Sequence, residues 1–370
     1  MSNAELLFDL TLTEEQSMTR ESIQRFAANE LRSKSRELDE AANTELAFFN
    51  KSADLGLSIL PIPEDFGGAG MPRSPISNVL AAEDLAHGDM SLALGILTPL
   101  SFINAVLDNG TEAQQEKYLS PLASDSFKAA TIALMEPKAT FEPTELATTA
   151  KKDGDKYIIN GTKSMVVFGE CAELILVIAN IEGEGPAGFV VEKGTEGLAA
   201  TPERFMGLRA VEKSTLTLEN VVVAADAKLG GDKAFDLQRL VDLARIGTCA
   251  LSVGAAQGVL DYVIPYVNER IAFGEPIAYR QSVAFMVANI RIELDGMRLM
   301  TWRAASRAEQ GLDFHKEAYL ARVLCAEKAM EIGTNGVQLL GGHGFCREHP
   351  VEMWYRNLRA TGILEGACVV

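Results

Sequence analysis

The sequence predicts a mainly α-helical protein with a small β-domain at its centre, and three changes of period along its 370 residues predict it. Residues 13 to 128 carry a helical spacing. Residues 129 to 231 carry short β-branched runs divided by turn residues, and the helical spacing returns from 232 onward. The expected domains are a helical one over 1–128, a β-barrel or sandwich over 129–231, and a helical bundle, four helices in all, over 232–370.

In the first zone, TEEQSMTRESIQRFAANELRSKSRELDE places Met18, Ile23, Phe26, Ala27 and Leu31 at threes and fours, one apolar face of an amphipathic helix. The stretch PIPEDFGGAGMPRSP (61–75) interrupts it, because prolines and glycines at that density admit only an irregular loop. In the second zone, Asp-Gly and Asn-Gly steps flank Tyr157 to Ile159 in KKDGDKYIINGTK, and ELILVIANI, GFVVE and STLTLENVVVA follow as strands. The third zone opens on a long apolar helix, LQRLVDLARIGTCALSVGAAQGVLDYVIPYVNE, with further helices expected over about 281–310 and 314–340.

Composition narrows the function classes. Hydrophobic residues make 47% and charged residues 23% of the chain, the balance of a globular protein. With 34 basic against 51 acidic residues the net charge is −17, which excludes a broad phosphate-binding surface and with it nucleic acid. The N-terminus lacks the basic and apolar regions of a leader, and no apolar stretch is expected to reach the roughly 20 residues of a membrane span. The expected location is the cytoplasm, with no membrane partner. Five scattered cysteines suit a reducing compartment. His343, Cys346 and His349 lie close in GGHGFCREHP, but a fourth ligand is missing and no metal is expected. GGAG follows prolines and LLGGHGF follows a helix, so neither is a Rossmann fingerprint.

One carboxylate stands out. Glu365, in ILEGACVV, lies between Ile363, Leu364 and Gly366. Aliphatic neighbours imply partial burial, the means by which a weak acid becomes a general base.

Four stretches in fixed order make the chain resemble the acyl-CoA dehydrogenase family over essentially its whole length: DGDKYIINGTK (153–163), FMGLRAVEKSTLTLENVVV (205–223), ERIAFGEPIAYRQSVAFM (269–286) and VQLLGGHGFCREHPVEMWYRNLRATGILEG (337–366). The resemblance implies FAD-dependent α,β-dehydrogenation of an acyl thioester, carried by CoA or by a carrier protein. Glu365 stands where the family's base takes the α-proton while a hydride leaves the β-carbon for flavin N5. Arg245 matches an arginine beside that base, although pairing with Asp242 or Asp236 on its own helix is the plain alternative. Arg270, Phe273 and Gln281, and with them Gln338, Gly341 and Gly342, match contacts to the adenosine half of FAD, held for a neighbouring subunit. A homotetramer and an electron-transfer flavoprotein as acceptor are implied with them.

The pattern departs from the family around the flavin ring. In MEPKATFE (135–142), Met135 and Phe141 replace a threonine and a serine; in MVVFG (165–169), Met165 replaces a tryptophan and Val167 a threonine. Phe141, Arg245 and Leu364 are the expected substrate neighbours, with residues near 84 to 100 shaping the acyl pocket. Lost polar contacts at the ring leave a second reading open: a flavin-poor subunit of a hetero-oligomer, lending adenosine-side contacts to a competent partner.

Overall fold

The computed structural model describes residues 11–370, and helices precede and follow a single β-domain. Helix α1 (Glu14–Phe26) starts in a reciprocal capping box of Thr13 and Gln16. Two short helices follow, α2 (Ser35–Ala41) and α3 (Leu46–Phe49). The loop before Pro75 is irregular, with one turn of 3-10 helix over Glu64–Phe66. Pro75 then opens α4 (Pro75–Gly88) at a first-turn position, where its missing N–H costs nothing. Helix α5 (Met90–Asn109) is capped by Asp89, which accepts the Leu92 N–H at 2.9 Å, and α6 (Glu112–Leu119) closes the layer.

The β-domain is one curled sheet of seven strands, not two facing sheets: β1 (Ala130–Ala133), β2 (Thr149–Asp153), β3 (Lys156–Val167), β4 (Leu174–Ile181), β5 (Gly185–Glu192), β6 (Leu198–Pro202) and β7 (Lys213–Ala224). The four runs read as strands in the sequence are β3, β4, β5 and β7. One edge of β4 pairs with β5; the other pairs in parallel first with β1 and then with β2. From β2 the sheet continues through β3 and β7 to β6, all antiparallel. Two register shifts in β3 against β7, at Ile159/Gly161 and Lys163/Val166, bend the sheet where β3 approaches Met165 and Val167.

Helix α7 (Leu237–Glu269) runs 33 residues through the middle of the molecule. It packs on α4 and on two long helices, α8 (Gln281–Glu309) and α9 (His315–Leu340), and α10 (Val351–Leu358) completes the bundle. A two-residue hairpin, β8 (Ile271–Ala272) with β9 (Glu275–Pro276), links α7 to α8. The expectation of no span-length apolar stretch is corrected here: α5 and α7 are both long and apolar enough to cross a membrane. Their apolar windows are 94% and 89% buried within the protein, however, which is the setting of core helices.

Candidate active site

Glu365 lies in the segment after α10, where three helices and the β-domain meet. Its carboxylate receives Arg245 Nε of α7 at 3.1 Å and Arg322 of α9 at 3.4 Å, so both helices present a guanidinium to it. The partial burial expected from the sequence is present, with the Glu365 side chain 13% exposed, and so is the expected Arg245; the second cation, Arg322, was not expected. Leu364 is buried and Ile363 is 46% exposed, but the carboxylate itself faces two cations. Arg245 makes its ion pair with Glu365 and not with an aspartate of its own helix: Asp242 pairs with His315 at 2.9 Å, and Asp236 caps α7 through the Arg239 N–H. The Glu365 backbone N–H points at Met135 Sδ, 3.3 Å away, a weak acceptor.

Both sides of this segment are fixed. Gly366 has φ +72°, and a Cβ there would stand 2.6 Å from Leu134 Cδ2, so only glycine fits the turn against β1. Beyond it, residues 367–370 thread between α5 and α7. Val369 donates its N–H to Ser101 Oγ at 2.9 Å and accepts Asn104 Nδ2 at 2.9 Å, and Arg73 donates to the Val370 carbonyl. Ser101 and Asn104 are fully buried polar groups of α5; Ser101 donates to the Leu97 carbonyl of its own helix, and the strap supplies a donor to its hydroxyl and an acceptor to the Asn104 amide. Burial pushes the Cys368 thiol within it up to about 12.

Of the four residues expected to wall the ring, Met165 and Val167 lie on β3 and Met135 and Phe141 in the segment after β1, and Met135 reaches the Glu365 N–H. Met135 and Val167 are buried, while Met165 and Phe141 are half-buried. The backbone donors alongside are engaged inside the β-domain: Ser164 N–H donates to Met135 O, Met165 N–H to the Glu203 carboxylate at 2.7 Å, and Phe168 N–H to Glu212 O. Phe168 was not singled out by sequence; it sits at φ +58°, fully buried, with its ring 5.3 Å from that of Phe49 and 5.7 Å from that of Phe127. Under the wall, Glu136 pairs with Lys163 Nζ at 2.8 Å and accepts the N–H groups of Ala147 and Thr148. Burial pulls the Lys163 ammonium down to about 8.

The expected adenosine-side residues are placed quite differently. Arg270, Phe273, Gln281, Gln338, Gly341 and Gly342 are all exposed, on the β8–β9 hairpin, the start of α8 and the end of α9. Phe273 is 95% exposed and has φ +56°. His343 and His349 stack on each other and bond to Tyr266 and Tyr262, and no group of three metal-ligating side chains occurs among the described residues.

Three family models cover nearly all of this architecture: the acyl-CoA dehydrogenase N-terminal domain over 13–126, the middle domain over 131–221 and the C-terminal domain over 236–368. The chain belongs to the acyl-CoA dehydrogenase family. It is an oxidoreductase of the kind that acts on CH–CH bonds of acyl-CoA. The short-chain specific acyl-CoA dehydrogenase of Clostridium acetobutylicum is 31% identical over 373 residues, covering 98% of this chain and 97% of that protein. Butyryl-CoA dehydrogenase from Megasphaera elsdenii superposes with a TM-score of 0.88 at 29% identity, over 96% of this chain and 95% of that one. A chain from a structure described as the electron transferring flavoprotein of Acidaminococcus fermentans gives 0.88 at 30% identity, with the same coverage.

The acyl-CoA dehydrogenase family is one of flavoproteins, and the residues here fit a flavin unevenly. The exposed adenosine-side set offers an arginine, two glutamines, an aromatic face and bare glycine backbone, a donor set suited to a dinucleotide. The ring wall offers apolar surface.

Proposed function

We propose that this chain catalyses α,β-dehydrogenation of a short acyl-CoA to the trans-2-enoyl thioester, with Glu365 as the base for the α-proton. What carries the reading is the Glu365 site: a carboxylate gripped by Arg245 and Arg322, with its own N–H resting on nothing stronger than a thioether. A thioester carbonyl oxygen is the better acceptor for that N–H and would displace the thioether. Bonded there, the carbonyl draws charge from the α-carbon and lowers the barrier to losing its proton. Glu365 takes that proton across the same short gap, and Arg245 balances the carboxylate before the transfer.

FAD, when bound, supplies the acceptor for the β-hydride. Met135, Phe141, Met165 and Val167 would wall its ring, while Arg270, Phe273, Gln281, Gln338, Gly341 and Gly342 would hold the adenosine half for a neighbouring copy. Their exposure on one protomer supports that assignment, as do the large apolar side chains beside them, Tyr279, Phe285 and Ile292, each more than 60% exposed. A homo-oligomer, a tetramer by family likeness, follows, with an electron-transferring flavoprotein as the electron acceptor. Residues near 84 to 100, with Phe141 and Leu364, would bound the acyl group.

The test is the visible spectrum of the purified protein, alone and with excess FAD. A flavin band near one per chain that bleaches anaerobically on adding butyryl-CoA, and fails to bleach in Glu365→Gln with flavin retained, is the expected result. A protein that stays colourless in excess FAD overturns the reading and leaves the flavin-poor subunit of a hetero-oligomer in its place.

A further inference from the structure

Arg322 was not foreseen as part of the site, and its surroundings give it a specific task. It lies on α9 in a stripe of small apolar residues, Ala318, Ala321, Cys325 and Ala329, all turned into the bundle. A guanidinium on such a face is costly unless its partners are close. Among the described residues its partners are two: Nη2 donates to the Leu364 carbonyl at 3.0 Å, and Nε and Nη2 each reach Glu365 Oε1 at 3.4 Å. Among the described residues Nη1 has no hydrogen-bond partner.

The two arginines hold Glu365 in different ways. Among the described residues Arg245 hydrogen-bonds to the carboxylate alone, so its grip ends when the carboxylate turns. Arg322 holds the backbone one residue earlier as well, from a 26-residue helix packed against α7. Together with the Gly366 turn against Leu134, that bond fixes the chain on both sides of the base.

We propose that Arg322 is the positioning residue for Glu365, pinning the 364–365 backbone while Arg245 is the partner the carboxylate leaves when it reaches for the α-carbon. This rests on the reading of Glu365 as the base. The functional consequence is pre-organisation: a base misplaced by about 1 Å loses on the order of a hundredfold in rate.

The experiment compares Arg322→Met, Arg322→Lys and Arg245→Met in the flavin-loaded protein, with butyryl-CoA as probe and Glu365→Gln as the inactive reference. For Arg322→Met, kcat is expected to fall about a hundredfold with KM within about threefold, and Arg322→Lys is expected to recover about tenfold of that loss, because an ammonium still reaches the Leu364 carbonyl. A kcat within about threefold of wild type in Arg322→Met overturns the proposal, and so does a loss that Arg322→Lys does not restore at all. If Arg322→Met does not fold, Arg322→Lys alone decides: a tenfold lower kcat supports the role and an unchanged kcat removes it.

A second readout needs no turnover. Hydrogen exchange at the amides of 364–367 is expected to quicken about tenfold or more in Arg322→Met and Arg322→Lys to stay between it and wild type, whereas Arg245→Met stays within about twofold of wild type. Equal exchange in the Arg322→Met and Arg245→Met proteins overturns the proposal even if the enzyme is inert. A wild-type protein with flavin but no turnover, or a Glu365→Gln protein with full turnover, instead refutes the base assignment while the exchange data still judge Arg322.

Discussion

Replacing Lys163 by Met isolates the buried ion pair beneath the ring wall. Lys163 is fully buried and Glu136 is 4% exposed in its side chain, and they meet at 2.8 Å. Lys163 also donates to the Leu134 carbonyl at 3.1 Å, tying β3 to the segment that carries Met135. Burial opposes the Glu136 charge, but the Lys163 ammonium and the Ala147 and Thr148 N–H groups together hold the carboxyl below the usual range. Removing one partner of a buried pair costs about 3 to 5 kcal/mol, because the other charge is left uncompensated. The two remaining N–H donors put Lys163→Met at the lower end, about 3 kcal/mol. Urea unfolding near pH 6.5, where Lys163 is charged and Glu136 ionised, measures it. The deficit shrinks as pH falls, since in the variant Glu136 can take a proton and no longer needs a cation. Lys163→Met with Glu136→Gln should recover about 1 to 2 kcal/mol relative to the sum of the single changes. A single-variant loss below about 1 kcal/mol, with no coupling in the cycle, would refute the view that this pair holds the wall.

Asp89 gives a pH signature: burial pushes its carboxyl up from 3.8 to about 6, so the folded chain keeps a proton that the unfolded chain has released, and its contribution to stability falls as pH rises across that interval. Asp89→Asn keeps the cap on α5 without the charge, and is expected to stabilise by up to about 3 kcal/mol near pH 7 and by nothing near pH 4, read from thermal unfolding at both. Gly247→Ala would place a Cβ 2.0 Å from the Cys368 carbonyl, so it should expel the 367–370 strap, cost about 1 to 3 kcal/mol and expose that segment to limited proteolysis. Phe273→Ser removes the most exposed large apolar side chain on the hairpin, and is expected to shift the protein to smaller species in sedimentation without lowering the unfolding midpoint of the protomer.

Much of the fold was legible because period reports burial. The strands β3, β4, β5 and β7 and the helices α7, α8 and α9 fall where alternation or helical spacing placed them. Strands β1, β2 and β6 were harder: they are four or five residues long, and β2 and β6 are mostly uncovered, so alternation had little to work on. The site was legible only where motif and chemistry coincided. Glu365 and Arg245 were found, and the structure brings them together; Arg322 was not, although an arginine inside the Ala318, Ala321, Cys325 stripe is a visible break in an apolar face. Ser101 and Asn104 carried the same kind of signal within α5. Their reason, a strap whose backbone needs partners, lies some 265 residues away in sequence and no local pattern reveals it.

The changes at the ring wall make sense only when taken with the backbone beside them. The Met165 and Phe168 N–H groups already donate to Glu203 and to the Glu212 carbonyl, so on the proposed reading the wall would hold a ring by shape and dispersion. On the same reading, the polar grip on the cofactor would be concentrated on the exposed adenosine-side set and offered to a neighbouring copy. Flavin retention should therefore follow assembly. On dilution through the dissociation range, FAD is expected to leave in step with loss of the oligomer, and Arg270→Ala should release it at higher protein concentration while leaving the protomer's unfolding midpoint unchanged. Sedimentation monitored at both the flavin and protein bands reads this directly; flavin that stays on isolated protomers would mean that the ring wall, despite its chemistry, binds the cofactor unaided.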